Sequence, residues 1–245
     1  MAATRGRYTT ILIDGINLDG QSNNVVVGVQ NGQIDVTPFQ TDGRVFLVEP
    51  PQGTIQHQGY LSDLGPGSFE QETFNRLGQN VNYVSVFLNT ALAACPTYVI
   101  PDTVADSLQI AAPANGVITI QGNWIAGSGS AGMQRGLRLF DGTVSGTGVQ
   151  THIDLVTPGT NGFAYLFFRQ SGGAATNATV TVQSDDNTGF TSATTHGTFT
   201  ISALDGYAMT ITGTIDRYAR VNVTSLGGAS SLTFAAIIVS GGVTM

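Results

Sequence analysis

Three histidines, one cysteine and sixteen carboxylates are the groups in this 245-residue sequence from which acid–base, nucleophilic or metal chemistry would start. His57 alternates with Gln56 and Gln58 in an expected strand, His152 opens a strand, and His196 precedes a glycine. No two stand at the i, i+2 or i, i+4 spacing that presents a pair of imidazoles to one metal, so surface or packed histidines are the expectation. Cys95 lies in an alanine-rich segment before Pro96 with no basic neighbour to lower its thiol pKa. It reads as a small buried hydrophobe. A single cysteine also excludes an internal disulfide framework and a multi-cysteine zinc site.

The remaining candidates have local explanations. Gly127–Gly132, GSGSAG, matches G-x-G-x-x-G. A dinucleotide site needs a helix N-terminus there to hold the pyrophosphate, but the following MQRGLRLF reads as strand, which makes the glycines a flexible hairpin loop. Asp185-Asp186-Asn187-Thr188-Gly189 lacks the spacing and terminal glutamate of an EF-hand and reads as an Asx turn. Asp14 with Asp19, and Asp35 with Asp42, flank turns. Paired carboxylates do glycoside chemistry only when the fold brings them together, and turn-forming aspartates are the simpler reading. No G-x-S-x-G elbow occurs. Asn177-Ala178-Thr179 and Asn222-Val223-Thr224 fit the glycosylation pattern, which matters only in a secreted chain. Asp216–Val223, DRYARVNV, is the densest charged patch of the second half. Asp216 and Arg220 share a strand face by parity, and one or two edge salt bridges are expected. No catalytic residue, cofactor or metal ligand is assigned.

The elements that would position these residues are mostly strands. Short runs rich in Val, Ile, Thr and aromatics lie between Gly, Asn, Asp and Pro turns. They place strands at about 8–13, 24–29, 33–39, 44–48, 53–60, 81–88, 97–100, 107–111 and 116–125. The second half adds about 151–156, 163–169, 177–183, 197–202, 207–213, 217–223 and 231–239. In Val117–Trp124, Ile118, Ile120 and Trp124 share a face, and in Val180–Gln183 the valines alternate with polar groups. One short helix is expected at 68–77. Ser68 and Gln71 form a capping box, Phe69, Phe74 and Leu77 an apolar stripe, and Gly78 the stop. The fold class is therefore all-β with one short helix. A tube-type sandwich or barrel domain over 1–140, a linker over the glycine-rich 141–150, and a second outer β-sandwich over 151–245 are expected. No internal repeat of 20–50 residues is evident.

Composition narrows the function classes. Hydrophobic residues make up 41% with mean hydropathy +0.13, which argues against disorder. No apolar run approaches the roughly 18–20 residues of a membrane helix, and the polar N-terminus carries no signal-peptide pattern. Charged residues are only 10%, against about 25% in ordinary domains. All nine basic residues are arginine, and the net charge is −7. An acidic chain without lysine is a poor grip for phosphate backbones. It also lacks the lysines with which monomeric sheets guard their edges, so an assembling protein, its edges covered by neighbours, is favoured.

Several stretches carry a likeness to a known family. ILIDGINLDG (Ile11–Gly20), GQIDVTPFQTDGRVFL (Gly32–Leu47), the helix at 68–77, Gly122-Asn123-Trp124, RGLRL (Arg135–Leu139), RYARVNV (Arg217–Val223) and SLTFAAIIVSG occur in this order. In this order of features the chain resembles the major tail proteins, or tail tube proteins, of long-tailed double-stranded DNA bacteriophages. Pro38 departs from the pattern by removing a ladder donor. The resemblance implies a homo-oligomeric ring of six subunits stacked into a hollow tube, with strands joined into a continuous inner barrel and the second domain outside. It implies a tape-measure protein and tail-tip or terminator proteins as partners. DNA passes only transiently through the lumen, and the chain sits in the virion after assembly in the host cytoplasm. Residues 1–140 hold ten acids and six arginines, and a net negative lumen would let duplex slide without sticking. Candidate subunit-interface residues are Arg5, Arg7 and Tyr8 of the N-terminal segment, and Asp42, Arg44, Pro50 and Pro51 of an expected flexible loop at 41–52. The alternatives are a capsid decoration or tail-tip β-protein, and a carbohydrate-binding sandwich using Tyr165, Phe167, Phe168, Phe190 and Tyr207.

Overall fold

A computed structural model describes residues 9–19, 22–35, 44, 46–61, 68–127 and 132–240. The first half contains β1 (Thr10–Ile13), β2 (Ile16–Asn17), β3 (Ser22–Asp35), β4 (Phe46–Tyr60), α1 (Phe69–Asn75), β5 (Asn80–Phe87), β6 (Pro96–Ala111), β7 (Thr119–Ala126) and β8 (Gln134–Val144). The second contains β9 (Gly148–Val149), β10 (Ile153–Asp154), β11 (Gly159–Ser171), β12 (Ala178–Asp185), β13 (Thr194–Ile201), β14 (Gly206–Ile215), β15 (Tyr218–Ser225) and β16 (Leu232–Ser240). The fold is all-β with one short helix, as its residue pattern dictates.

An eleven-stranded antiparallel sheet runs β14-β11-β16-β8-β6-β5-β1-β2 and branches from β6 through β7 and β4 to β3. A five-stranded sheet runs β10-β15-β12-β13, with β9 beside β15. Strands from both halves of the chain meet in the large sheet, because β8 pairs with β6 on one side and β16 on the other. The glycine-rich stretch 141–150, expected as a linker, completes β8 as far as Val144 and forms β9. Glycine does not break these strands because the pairing is supplied by long-range partners.

Three cores explain which runs alternate and which do not. Leu166, Phe168, Phe234, Ala236 and Ile238 of the large sheet pack on Val180, Val182, Phe199, Val221 and Val223 of the small one. The opposite faces of β11 and β16, with Tyr165, Phe167, Ala235 and Ile237, pack on Leu12, Phe87 and Val99. Both strands are thus buried on two faces, which is why Tyr165–Phe168 and Phe234–Val239 read as continuous apolar runs. The third core joins Ile11, Ile13, Val84, Val86, Ile100, Ile120 and Trp124 to Ile55 and Phe69. The large sheet therefore curls, and β14 comes round beside β5. A Cβ added at Gly206 of β14 would lie 2.6 Å from the Tyr83 ring, so glycine permits that approach.

Three expectations on local structure are corrected. First, 24–29 and 33–39 belong to one long strand as far as Asp35, and 44–48 and 53–60 likewise to one, so the expected loop at 41–52 is strand from Phe46 onward. Pro50 and Pro51 are tolerated because β4 pairs with β7 only over Thr54–Tyr60. At the prolines one edge needs no ladder donor, and a register shift between Asn31 and Gln33 absorbs the mismatch. Second, 97–100 and 107–111 are both part of β6, bent at Asp102 (φ 48°) and by a register shift at Ala105–Ser107. Third, α1 uses a different face. Ser68 caps it by accepting from the Gln71 N–H at 3.3 Å, but Gln71 Oε1 makes no return bond, so half of the capping box forms. Phe69 and Thr73, four apart, are buried, Leu77 packs beside them, and Phe74 is 61% exposed.

Candidate functional site

The longest unguarded feature is β3. It has fourteen residues and pairs only with β4, leaving its other edge without a strand among the described residues. No charged residue occurs from Ser22 to Ile34, and Val26 and Val29 are 48% and 41% exposed. Long, uncharged, apolar-dotted edges are templates for pairing with another chain. Of the expected interface residues, Arg44 is exposed beside the start of β4, and Pro50 and Pro51 lie in β4 itself, directly across from β3. Arg5, Arg7, Tyr8 and Asp42 lie outside the described residues, as do Pro38 and Gly20. The edge strand was missed as one unit because glycines and asparagines punctuate it. The absence of charge over thirteen residues was its readable signal.

The polar clusters elsewhere are spent on the fold. Ser184, His196 and Asp216 meet on the small sheet, with Ser184 Oγ 2.8 Å from His196 Nε2 and donating to Asp216 Oδ2 at 3.0 Å. A hydroxyl has one proton. Since the carboxylate takes it, His196 Nε2 must itself be the donor to Ser184, and the serine also accepts from the Asp216 N–H. The imidazole is therefore turned the wrong way to deprotonate the serine, and the carboxylate orients the wrong partner. Burial holds His196 below its ordinary pKa, with Asp216 opposing.

Asp185 fixes its own loop. It accepts from the Asn187 N–H at 3.1 Å, the Asn187 side-chain amide at 2.8 Å and the Ser192 N–H at 2.9 Å. This is the Asx turn expected, with its oxygens committed to N–H groups. No group of three potential metal-ligating His, Cys, Asp or Glu residues occurs among the described residues. Asp14 accepts from the Tyr83 N–H at 2.9 Å and pairs with Arg76 at 2.7 Å, and Arg76 also pairs with Glu72. Asp19 ties its loop to Thr10 Oγ1 and the Ile11 N–H. Burial raises both carboxyl pKa values, with these bonds opposing. Cys95 is buried, its thiol pushed up by that burial, so little reactive thiolate forms. Gly127 donates to the Asp102 carbonyl at 2.8 Å, and the hairpin expected at GSGSAG is corrected: β7 and β8 each pair with β6 and not with each other, while residues 128–131 lie outside the described residues.

In the charged patch Arg217 grips Asp154 with two bonds of 2.9 and 2.7 Å, holding that carboxyl down to about 2. This is one of the one or two salt bridges expected in the patch, and Asp216 and Arg220, which share a face by parity, take other partners. Arg220 donates to Gln183 Oε1 and lies 3.9 Å over the Phe190 ring, while Asp216 holds Ser184. The aromatics that a sugar-binding face would use are turned inward. Tyr165, Phe167, Phe168 and Phe190 are all buried, and the Tyr207 hydroxyl donates to the Ala203 carbonyl.

His57 is fully buried beneath α1, its ring 3.7 Å from that of Phe69, and neither nitrogen has a hydrogen-bond partner. Burial alone lowers its pKa to about 3, so the ring is neutral at ordinary pH.

No protein-family model and no curated protein matches this sequence. Solved structures do resemble it. A chain of the anti-feeding prophage tube-terminating cap matches at 10% identity and TM-score 0.40, covering 55% of this chain and 91% of its own. One from the tail of the empty gene transfer agent particle matches at 15% and 0.37, covering 52% and 97%. One from the sheath-tube complex of an extracellular contractile injection system matches at 13% and 0.38, covering 54% and 91%.

Proposed function

We propose that this chain is a non-enzymatic structural subunit of a long-tailed phage tail tube, assembling into stacked six-membered rings through which DNA passes. The observation that carries the reading is the unguarded edge of β3. A ring requires a heterologous contact, in which one surface of a subunit meets a different surface of the next. A fourteen-residue edge with no charge across Ser22–Ile34 supplies one half of such a contact by extending the neighbour's sheet. The order of motifs from ILIDGINLDG to SLTFAAIIVSG supports the same reading. So does the acidic balance, which suits a conduit for a polyanion.

In this reading residues 1–140 build the tube wall and 151–245 lie outside it, with β11, β14 and β16 joining the two through the large sheet. Arg5, Arg7, Tyr8, Asp42, Arg44, Pro50 and Pro51 contribute to the contacts between subunits. A tape-measure protein occupies the lumen during assembly, and tail-tip and terminator proteins close the ends. The chain resides in the virion tail after assembly in the host cytoplasm. The test is a Val26→Lys, Val29→Lys variant, examined by sedimentation and negative-stain microscopy beside the parent. Two lysines on the edge are expected to abolish rings and tubes while leaving the circular dichroism spectrum unchanged. Parent-like assembly of the variant would remove β3 from the contact.

A further inference from the structure

A pocket of about 260 Å³ lies between β5, β6, β8, β11 and β14. Three rings and one amide line it, with Pro101 and Ala208–Thr210 completing the wall. Tyr83 and Tyr165 lie 5.5 Å apart, and Phe163 stacks at 6.3 Å from Tyr165. Gln134 is 1% exposed. One end of its amide takes the Tyr165 hydroxyl at 2.7 Å, and the other has no partner. A half-turn of that amide presents its oxygen instead, since the phenol can accept as well as donate. At the rim stands Asp102, exposed, its backbone held in the left-handed region, its carboxylate making no bond or ion pair with any described side chain. Asp102, Asp14 and Asp205 together hold the Tyr83 phenol above its ordinary pKa, though burial is the larger cause.

The pocket therefore offers π faces, an unpaired buried amide and a negative field, with no cation among its lining residues. That combination fits a guanidinium, which stacks on aromatic faces and donates in plane to carboxylate and amide oxygens. Every cation in this chain's side chains, histidine aside, is a guanidinium. Arg76, Arg138, Arg169 and Arg217 are in ion pairs, and Arg220 is held by Gln183 and Phe190. Among the described residues Arg44 and Arg135 remain, both exposed and neither in an ion pair. Arg135 neighbours Gln134 in β8 and so leaves the opposite face of the sheet, out of reach of its own subunit's pocket.

We propose that the Tyr83–Phe163–Tyr165–Asp102 pocket receives an arginine side chain, Arg44 or Arg135, from a second copy of this chain. The proposal rests on the self-assembly reading above. It supplies that reading with a heterologous contact of fixed chemistry, separate from the β3 edge.

Two experiments separate the pocket from the assembly. Ethylguanidinium is titrated into the full chain below its assembling concentration, and the Tyr83 and Tyr165 ring resonances are followed by NMR. Saturable shifts are expected, weakened at least fivefold by Asp102→Asn, which tolerates the left-handed backbone as well as aspartate does, and by Tyr83→Leu. In the second experiment, Asp102→Asn and one of Arg44→Ala or Arg135→Ala each raise the concentration needed for assembly at least fivefold. The double variant is no worse than the poorer single, as for two halves of one contact. No saturable shift, or parent-like assembly of Asp102→Asn and both arginine variants, overturns the proposal. A parent that binds ethylguanidinium but never assembles would instead contradict the tube reading and leave the pocket a guanidinium site without its second copy.

Discussion

At the scale of single residues, the sequence shows the inventory and hides the environment. His57 sits between two glutamines in an alternating strand, and nothing local tells that both its nitrogens are buried against Phe69. That burial comes from α1, which arrives from residues outside the strand. Its consequence is a pH dependence with a definite sign. The unfolded chain binds a proton at His57 near pH 6.5, whereas the folded chain does so only near 3. The unfolded state thus carries more protons throughout that window, and stability is full above 6.5 and falls as pH falls, by about 1.4 kcal/mol per unit. Asp14 and Asp19, with raised pKa values, work in the opposite direction just above 3.8. Urea unfolding between pH 7 and 4.5 should show the loss, and His57→Leu should flatten it. An unchanged slope in the variant would place the proton elsewhere. A second residue, Phe234, is fully buried in the core between the sheets, with the Phe140 ring 4.7 Å away. Phe234→Ala is expected to cost about 3–5 kcal/mol of stability in denaturant unfolding.

At the scale of elements, type was more legible than extent. Strands rich in Val, Ile and Thr announced themselves. The helix was readable from Ser68 because a cap is a local device, and Ser68→Ala should cost about 1 kcal/mol, with a matching loss of amide protection in α1. The apolar stripe was misread at Phe74. A seven-residue helix lying on a sheet buries one narrow line, here Phe69 and Thr73, and the next turn's ring is left in solvent. The long strands β3, β4 and β6 looked broken because Asn31 and Gly32 in the first, Pro50 and Gly53 in the second and Asp102 in the third carry turn chemistry. Each is held in the sheet by a pairing partner that the local residues do not reveal: β3 and β4 hold each other across the prolines, β7 pairs the residues after Gly53, and β5 flanks the bend at Asp102. The uncharged run of β3 was readable, but that one of its edges lies open was not, and the aromatic pocket was hidden for the same reason. The edge needs the pairing partner of β4 to be known, and the pocket needs five strands from separate parts of the chain.

At the scale of the whole molecule, the arrangement is a curled eleven-stranded sheet closed over by a smaller one, and the Ser184, Asp185 and Asp14 clusters are engaged in turns and in hydrogen bonds or ion pairs between strands and helix. Among the described residues the molecule exposes one long uncharged edge and one ring-lined pocket beside Asp102, and it leaves Arg44 and Arg135 without an ion pair or a side-chain partner. Added salt should weaken the arginine contact while leaving backbone pairing at the edge little changed. Assembly of the parent is therefore expected to weaken only partly between 0.05 and 0.5 M salt, and that of Asp102→Asn to depend on salt still less. The most direct test of the central claim is negative-stain electron microscopy of the purified chain at rising concentration. Rings, or stacked hollow tubes with six-fold end views, are the predicted result. Monodisperse single particles at every concentration, persisting after tail-tip complexes are added, would contradict it.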